Sequence, residues 1–183
     1  PHLYGRIEKI VHGWRGRSPG YSPLKGGGIH LVDLMLWLTG QRPETVFAVG
    51  NRIATAAGPS AFNDYVAAVY SFPSGLIGRI TVNLGSVHRH QHVVRIFGTR
   101  GTFIYDDAGA RLHLSRDPSL DAKPVPLDPL PASKGVLLPE VIARIRAGAR
   151  DESATQLEID AMSVCLAGDL AMAAGSLLAI DYV

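Results

Sequence analysis

Between residues 44 and 115 apolar and polar positions alternate in six short runs, and on either side of that block the apolar spacing lengthens to that of a helix. The runs are ETVFAVGNRIAT (44–55), NDYVAAVYSF (63–72), LIGRITVNLGS (76–86), HVVRIFGT (92–99), GTFIYDD (101–107) and ARLHLS (110–115). A period of two turns successive side chains to opposite faces of a sheet, so each run predicts a strand. The turns FPSG (72–75), GTRG (98–101) and DDAG (106–109) are short enough to return the chain antiparallel to itself. HLYGRIEKIVH (2–12) reads as a first strand, followed by a loop over 13–25 rich in Gly, Ser, Pro and Arg. A helix is expected over 28–39, closed by Gly40. Residues 116–135 hold five of the twelve prolines and read as an irregular excursion. Helices follow at about 136–148 and about 154–175, and LLAIDYV (177–183) reads as a strand returning to a sheet edge. These elements predict an α+β fold: an open, mostly antiparallel β-sheet with helices on one face. The other face is left for water, a partner or a substrate.

A chain of 183 residues has room for one domain with a real core, so residues 1–183 are taken as a single unit. Hydrophobic residues make up 46% and charged residues 19%, which excludes a disordered chain. No apolar run reaches the ~18 residues of a membrane span. Lys and Arg number 18 against 16 Asp and Glu, spread along the length, so no nucleic-acid footprint stands out. Cys165 is the one cysteine; it has no internal partner, which fits a reducing cytoplasm, and its apolar context reads as core.

The helix over 28–39 poses the chemical question. KGGGIHLVDLMLWLTG (25–40) carries His30, Asp33 and Trp37 along one side of a helix otherwise covered by Ile29, Leu31, Val32, Leu34, Met35, Leu36 and Leu38. Polar groups on a helix buried nearly all round need a bonding partner, a wet cleft or a ligand. The first turn of a helix favours a neutral imidazole, the form a proton acceptor requires. The alternative is a core histidine bonded to a carbonyl. The three glycines lack the spacing of a phosphate loop and do not follow a strand, so they are read as permitting a tight turn and a close approach, of a substrate for example. His88, His90 and His92 would face one way along a strand. His88 and His92 would lie ~13 Å apart, however, so at most two could share an ion, and no metal ligand is assigned.

GWRG with GGGIHLVDLMLWLTG, then NDYVAAVYSFPSGLIGRITVN and VRIFGTRGTFIYD, resembles the C-terminal domain of the glucose-fructose oxidoreductase, inositol dehydrogenase and rhizopine catabolism (Gfo/Idh/MocA) family. The resemblance runs from the first strand to AMAAGSLLAIDYV. It implies the substrate-binding and dimerisation domain of an NAD(P)-dependent oxidoreductase that acts on a sugar, cyclitol or related polyol by hydride transfer. It also implies His30 as the catalytic base, in the family's H-x-[IV]-D pattern spelled here by His30, Leu31, Val32 and Asp33. Many members carry an aspartate where Gly26 stands, which leaves Asp33 or Lys25 as the polar neighbour of His30. The loop with Trp14, Arg15 and Tyr21 lies near the substrate cleft in that family, and Asn83 and His88 are further candidate substrate contacts.

The sequence contains neither the G-x-G-x-x-G fingerprint nor an E-K-P segment, so NAD or NADP is expected on an N-terminal Rossmann domain outside these 183 residues. The chain alone is expected to be inactive. Expected partners are a small polyol, that Rossmann domain, and a second copy in a homodimer or homotetramer through the open sheet face. A competing reading is a non-catalytic module that associates through its sheet.

Overall fold

A computed structural model describes residues 1–58, 62–149 and 152–183. Only the start of the run at 2–12 joins a sheet, as β1 (His2–Leu3). Ile7, Ile10 and Val11 then fall at the i, i+3, i+4 spacing of a helix face and form α1 (Ile7–Val11) in place of the expected strand. Helix α2 (Ile29–Thr39) ends as expected on Gly40, whose φ of +61° is the left-handed conformation that glycine adopts without strain.

Three long strands follow: β2 (Thr45–Asn51), β3 (Tyr65–Ser71) and β4 (Ile77–Asn83). Val46, Ala48, Val66, Ala68, Tyr70, Ile80 and Val82 on them are buried, and the residues between are partly or fully exposed. That alternation is the period of two made into one covered face and one open face. The later strands are β5 (Gln91–His92), β6 (Val94–Phe97), β7 (Thr102–Asp106), β8 (Gly109–His113) and β9 (Lys123–Pro124). Helices α3 (Leu138–Arg146) and α4 (Glu152–Ala174) precede a last short strand, β10 (Leu178–Ala179).

The strands form two sheets, where one was expected. The first has the order β10-β2-β3-β4-β1-β5, the second β6-β7-β8-β9. Alternation specifies a strand and its faces, but the turns choose its partner. GTRG and DDAG pair β6, β7 and β8 with one another. Only β2, β3 and β4 of the first sheet form a meander; β10 lies beside β2, and β1 inserts between β4 and β5, parallel to β4. Contacts divide the chain into two compact units, Pro1–Val93 with Leu157–Val183, and Val94–Gln156.

In the first unit α2 and α4 lie against the covered face of the sheet, so that Leu31, Val32, Leu36, Ala161, Val164, Cys165 and Ala171 share one apolar cluster with the strands. Burial pushes the Cys165 thiol up to about 12, and its Sγ rests 3.6 Å from the Leu24 carbonyl, so the cysteine is an inert core residue. Arg42 grips Asp160 of α4 with two bonds of 2.6 and 2.9 Å, a bidentate pair that fixes α4 to the chain entering β2. In the second unit Arg111 makes the same kind of pair with Asp106 across the β7–β8 hairpin.

The glycines before α2 have a different task from the one expected. Ser22 Oγ accepts the backbone N–H of Lys25 and Pro23 follows at the first position, the arrangement of a capped helix start. From there a π turn, Leu24–Gly28, runs straight into α2. His30 is therefore not in a free first turn, and the dipole argument made for it belongs further upstream. What approaches the glycines is the protein itself. A Cβ on Gly26 would strike the Tyr21 ring at 2.4 Å, one on Gly27 the His2 ring at 2.6 Å, and one on Gly28 would meet Val82 at 3.0 Å. Gly27→Ala is accordingly expected to lower the unfolding free energy by about 1–3 kcal/mol, the usual cost of overpacking. Chemical denaturation measures it, and an unchanged midpoint would contradict this packing.

Candidate active site

The register of β1 assembles the polar cluster beside α2. His2 stands opposite Val82 of β4 on one side and opposite His92 of β5 on the other. Residues opposite one another share a face, and Val82 faces the core, so both imidazoles lie on the side of the sheet that carries the helices. His2 is buried, with Nδ1 2.6 Å from Nε2 of His92; one nitrogen donates and the other accepts. His90 turns its ring onto the same pair, with centroids 5.2 Å from His2 and 5.5 Å from His92. Tyr4 closes the cluster, 5.1 Å from the His90 ring.

His30 reaches this group from α2. Its ring is 5.8 Å from that of His92, and the residue is exposed. Among the described residues it forms no side-chain hydrogen bond, so the reading as a core histidine tied to a carbonyl does not hold. Nor is α2 buried nearly all round, since Trp37 is 69% and Leu38 49% exposed.

Burial is the main cause that holds His2 down to about 3, with the neighbouring His92, His90 and His30 adding to it. Burial likewise holds His92 down to about 4, followed by His30 and His90. The cluster's two inner imidazoles are neutral at pH 7.

The other residues singled out from the sequence are dispersed. Asp33 is half-buried and, among the described residues, is not bonded to His30. Lys25 pairs with Asp169 of α4 at 3.3 Å, which gives its charge a partner other than His30. Tyr21 stacks edge-on against Phe62 at 5.0 Å, and burial raises its phenol while nearby Arg15 opposes the shift. Arg15 lies 4.5 Å over the exposed ring of Trp14. Asn83 lines a hollow of about 340 Å³ with Asp64 and Tyr65, while Tyr21 and Lys25 line another of about 260 Å³ with Asp169 and Met172. Neither hollow includes His30. His88 bonds the Arg89 carbonyl through Nδ1 at 2.7 Å. The expected row of three imidazoles is thus replaced by His90, His92 and His2.

His2 and Tyr4 escaped the sequence reading because they lie about 90 positions from His90 and His92. No local spacing reveals that pairing. The histidines of HRHQH were noticed, and the third imidazole beside His90 and His92 comes from β1.

A family model described as the GFO/IDH/MocA C-terminal domain matches residues 4–104. No curated protein matches. Among solved structures, myo-inositol 2-dehydrogenase from Lactobacillus plantarum superposes with a TM-score of 0.72 at 16% identity, over 98% of this chain and 55% of that one. Levoglucosan dehydrogenase in complex with NADH and L-sorbose gives 0.75 at 17%, over 100% of this chain and 57% of that one. Aldose-aldose oxidoreductase from Caulobacter crescentus, complexed with glycerol, gives 0.69 at 20%, over 98% and 54%. The chain thus spans somewhat more than half the length of each of these structures. At these identities the likeness shows the fold: an open sheet with few helices, as expected. Among the described residues no helix is long and apolar enough to cross a membrane.

The depressed histidines have a consequence for stability. A histidine whose folded value lies below its unfolded value of about 6.5 binds fewer protons folded than unfolded. Its contribution is complete above about pH 6.5 and is lost as pH falls toward the folded values of about 4 for His92 and about 3 for His2. The melting temperature is therefore expected to fall below about pH 6.5, and to fall less steeply in His92→Gln. Calorimetry across pH 4–8 measures both; parallel profiles for the two proteins would contradict it.

Proposed function

Because the chain belongs to the GFO/IDH/MocA C-terminal domain family, we propose that it is the substrate-binding and association part, residues 1–183, of a two-domain oxidoreductase acting on a sugar, cyclitol or related polyol. The observation that carries this reading is His30. It is an exposed imidazole without a hydrogen-bond partner among the described residues, in the His30-Leu31-Val32-Asp33 pattern, on a helix capped and fixed from below.

In the reaction a carbon bearing a hydroxyl becomes a carbonyl. Its C–H pair leaves as hydride, and the O–H proton must pass to a base within hydrogen-bond reach. A nicotinamide, when bound, supplies the hydride acceptor. The residues of this chain offer no glycine-rich dinucleotide loop, so NAD or NADP belongs to a Rossmann domain outside it. One of the neighbouring structures contains NADH and a sugar, which supports that class of cofactor and substrate. What this chain does is bind the polyol and take the proton on an unprotonated ring nitrogen of His30. Asp33 is one turn further along the same helix. Arg15, Trp14 and Tyr21, on the loop before α2, are candidates to grip other hydroxyls, as are Lys25, Asn83 and His88. The single cysteine suits a reducing cytoplasm.

A second role is supported by the open face of the first sheet. Phe47 is 40%, Val49 50%, Val69 38% and Ile77 62% exposed there, and Phe47 stands directly opposite Val69. Exposed apolar side chains on an open sheet face fit a second copy of the chain, as a homodimer or within a homotetramer. That face lies on the side of the sheet away from His30, so association and catalysis are compatible.

In the intact two-domain protein His30→Ala is expected to lower kcat by about 10²–10⁴-fold with a smaller change in KM, the loss typical of a general base. Steady-state kinetics on polyols with NAD and NADP measure it, and unchanged turnover would overturn the role of His30. Phe47→Glu combined with Val69→Glu is expected to yield monomers by light scattering, and an unchanged assembly mass would remove the sheet-face interface.

A further inference from the structure

We infer that His2, His90 and His92 form a binding site for one divalent transition-metal cation of the zinc type. The proposal stands apart from the redox reading, since it concerns the residues beside His30 and not His30 itself.

One ring nitrogen from each of the three imidazoles lies within 4.8 Å of the other two. Nitrogens held about 2.0–2.1 Å from a tetrahedral zinc end roughly 3.3 Å apart, so the three sit within about 1.5 Å of ligating positions. His2 Nδ1 and His92 Nε2, at 2.6 Å, must part slightly, and the ion would take the place of the proton they share. That hydrogen bond satisfies one nitrogen on each ring, while His90 has no side-chain hydrogen bond among the described residues. A cation would take one nitrogen from each of the three rings at once.

The frame is prepared. His2 and His92 are fixed opposite one another by the β1–β5 register, and Gly27 leaves the space the His2 ring occupies. His90 is exposed, which gives an ion its way in. The ~13 Å span that disfavours an ion shared along HRHQH separates His88 from His92, and His88 is not in this set.

The donor chemistry selects the ion. Three imidazoles and no carboxylate suit zinc, copper or nickel and do not suit calcium or magnesium, which take oxygen ligands. Three neutral ligands also leave the cation its full double charge and one open position for water or a hydroxyl oxygen.

The test is calorimetric titration of untagged, chelator-stripped protein with Zn²⁺, repeated with Co²⁺ by visible absorption. One ion per chain is expected, with the intense bands of tetrahedral cobalt. His90→Ala and His92→Ala are each expected to weaken Zn²⁺ binding by at least about tenfold, the smallest loss usual even for residues behind the ligands. His88→Ala should bind as the parent does. Because His90 is exposed, its variant folds as the parent does, and circular dichroism verifies this. Absence of saturable binding, equal affinity in His90→Ala, or an equal loss in His88→Ala would each overturn the site. Zinc binding and polyol turnover are separate readouts, so failure of one is distinguishable from failure of the other.

Discussion

A strand of two residues holds the candidate site together. β1 enters the sheet between β4 and β5, parallel to one and antiparallel to the other. That insertion sets His2 on the covered face, opposite His92 and beneath Gly27, and carries Tyr4 against His90. A shift of one residue would send His2 to the open face and leave His90 and His92 without a third imidazole. The glycines before α2 are the other half of the same constraint. With side chains there, the π turn could not lie so close to Tyr21, His2 and Val82, and α2 would not deliver His30 to the cluster.

The local parts of this architecture were legible. Alternation placed β2, β3 and β4, and Gly40 marked the end of α2. Both are short-range signals that neighbouring residues carry by themselves. Partner choice was less legible, because it depends on chain closure over long distances. Hence one sheet was expected where there are two, and the parallel β1–β4 pair was not foreseen. The segment at 7–11 was misread because five residues are too few for a strand period to be told from Ile7, Ile10 and Val11 on a helix face.

Of the candidate site, one residue was legible and its surroundings were not. His30 stood out as a polar group on an apolar helix, and it is exposed beside other ionisable groups. Its expected neighbours are elsewhere: Lys25 is paired with Asp169, and Asp33 makes no bond to it among the described residues. The neighbours it does have are imidazoles brought from positions 2, 90 and 92. Burial keeps two of them, His2 and His92, neutral at pH 7. The opposite face of the same sheet is open and exposes Phe47, Val49, Val69 and Ile77.

The central claim is that His2, His90, His92 and His30 form one cluster because of the β1 register. Nuclear Overhauser contacts between assigned imidazole ring protons test it most directly. The account predicts contacts of His2 with both His90 and His92, and of His92 with His30. Rings of His2 and His92 that show no mutual contact, or a His88 ring in their place, would contradict it.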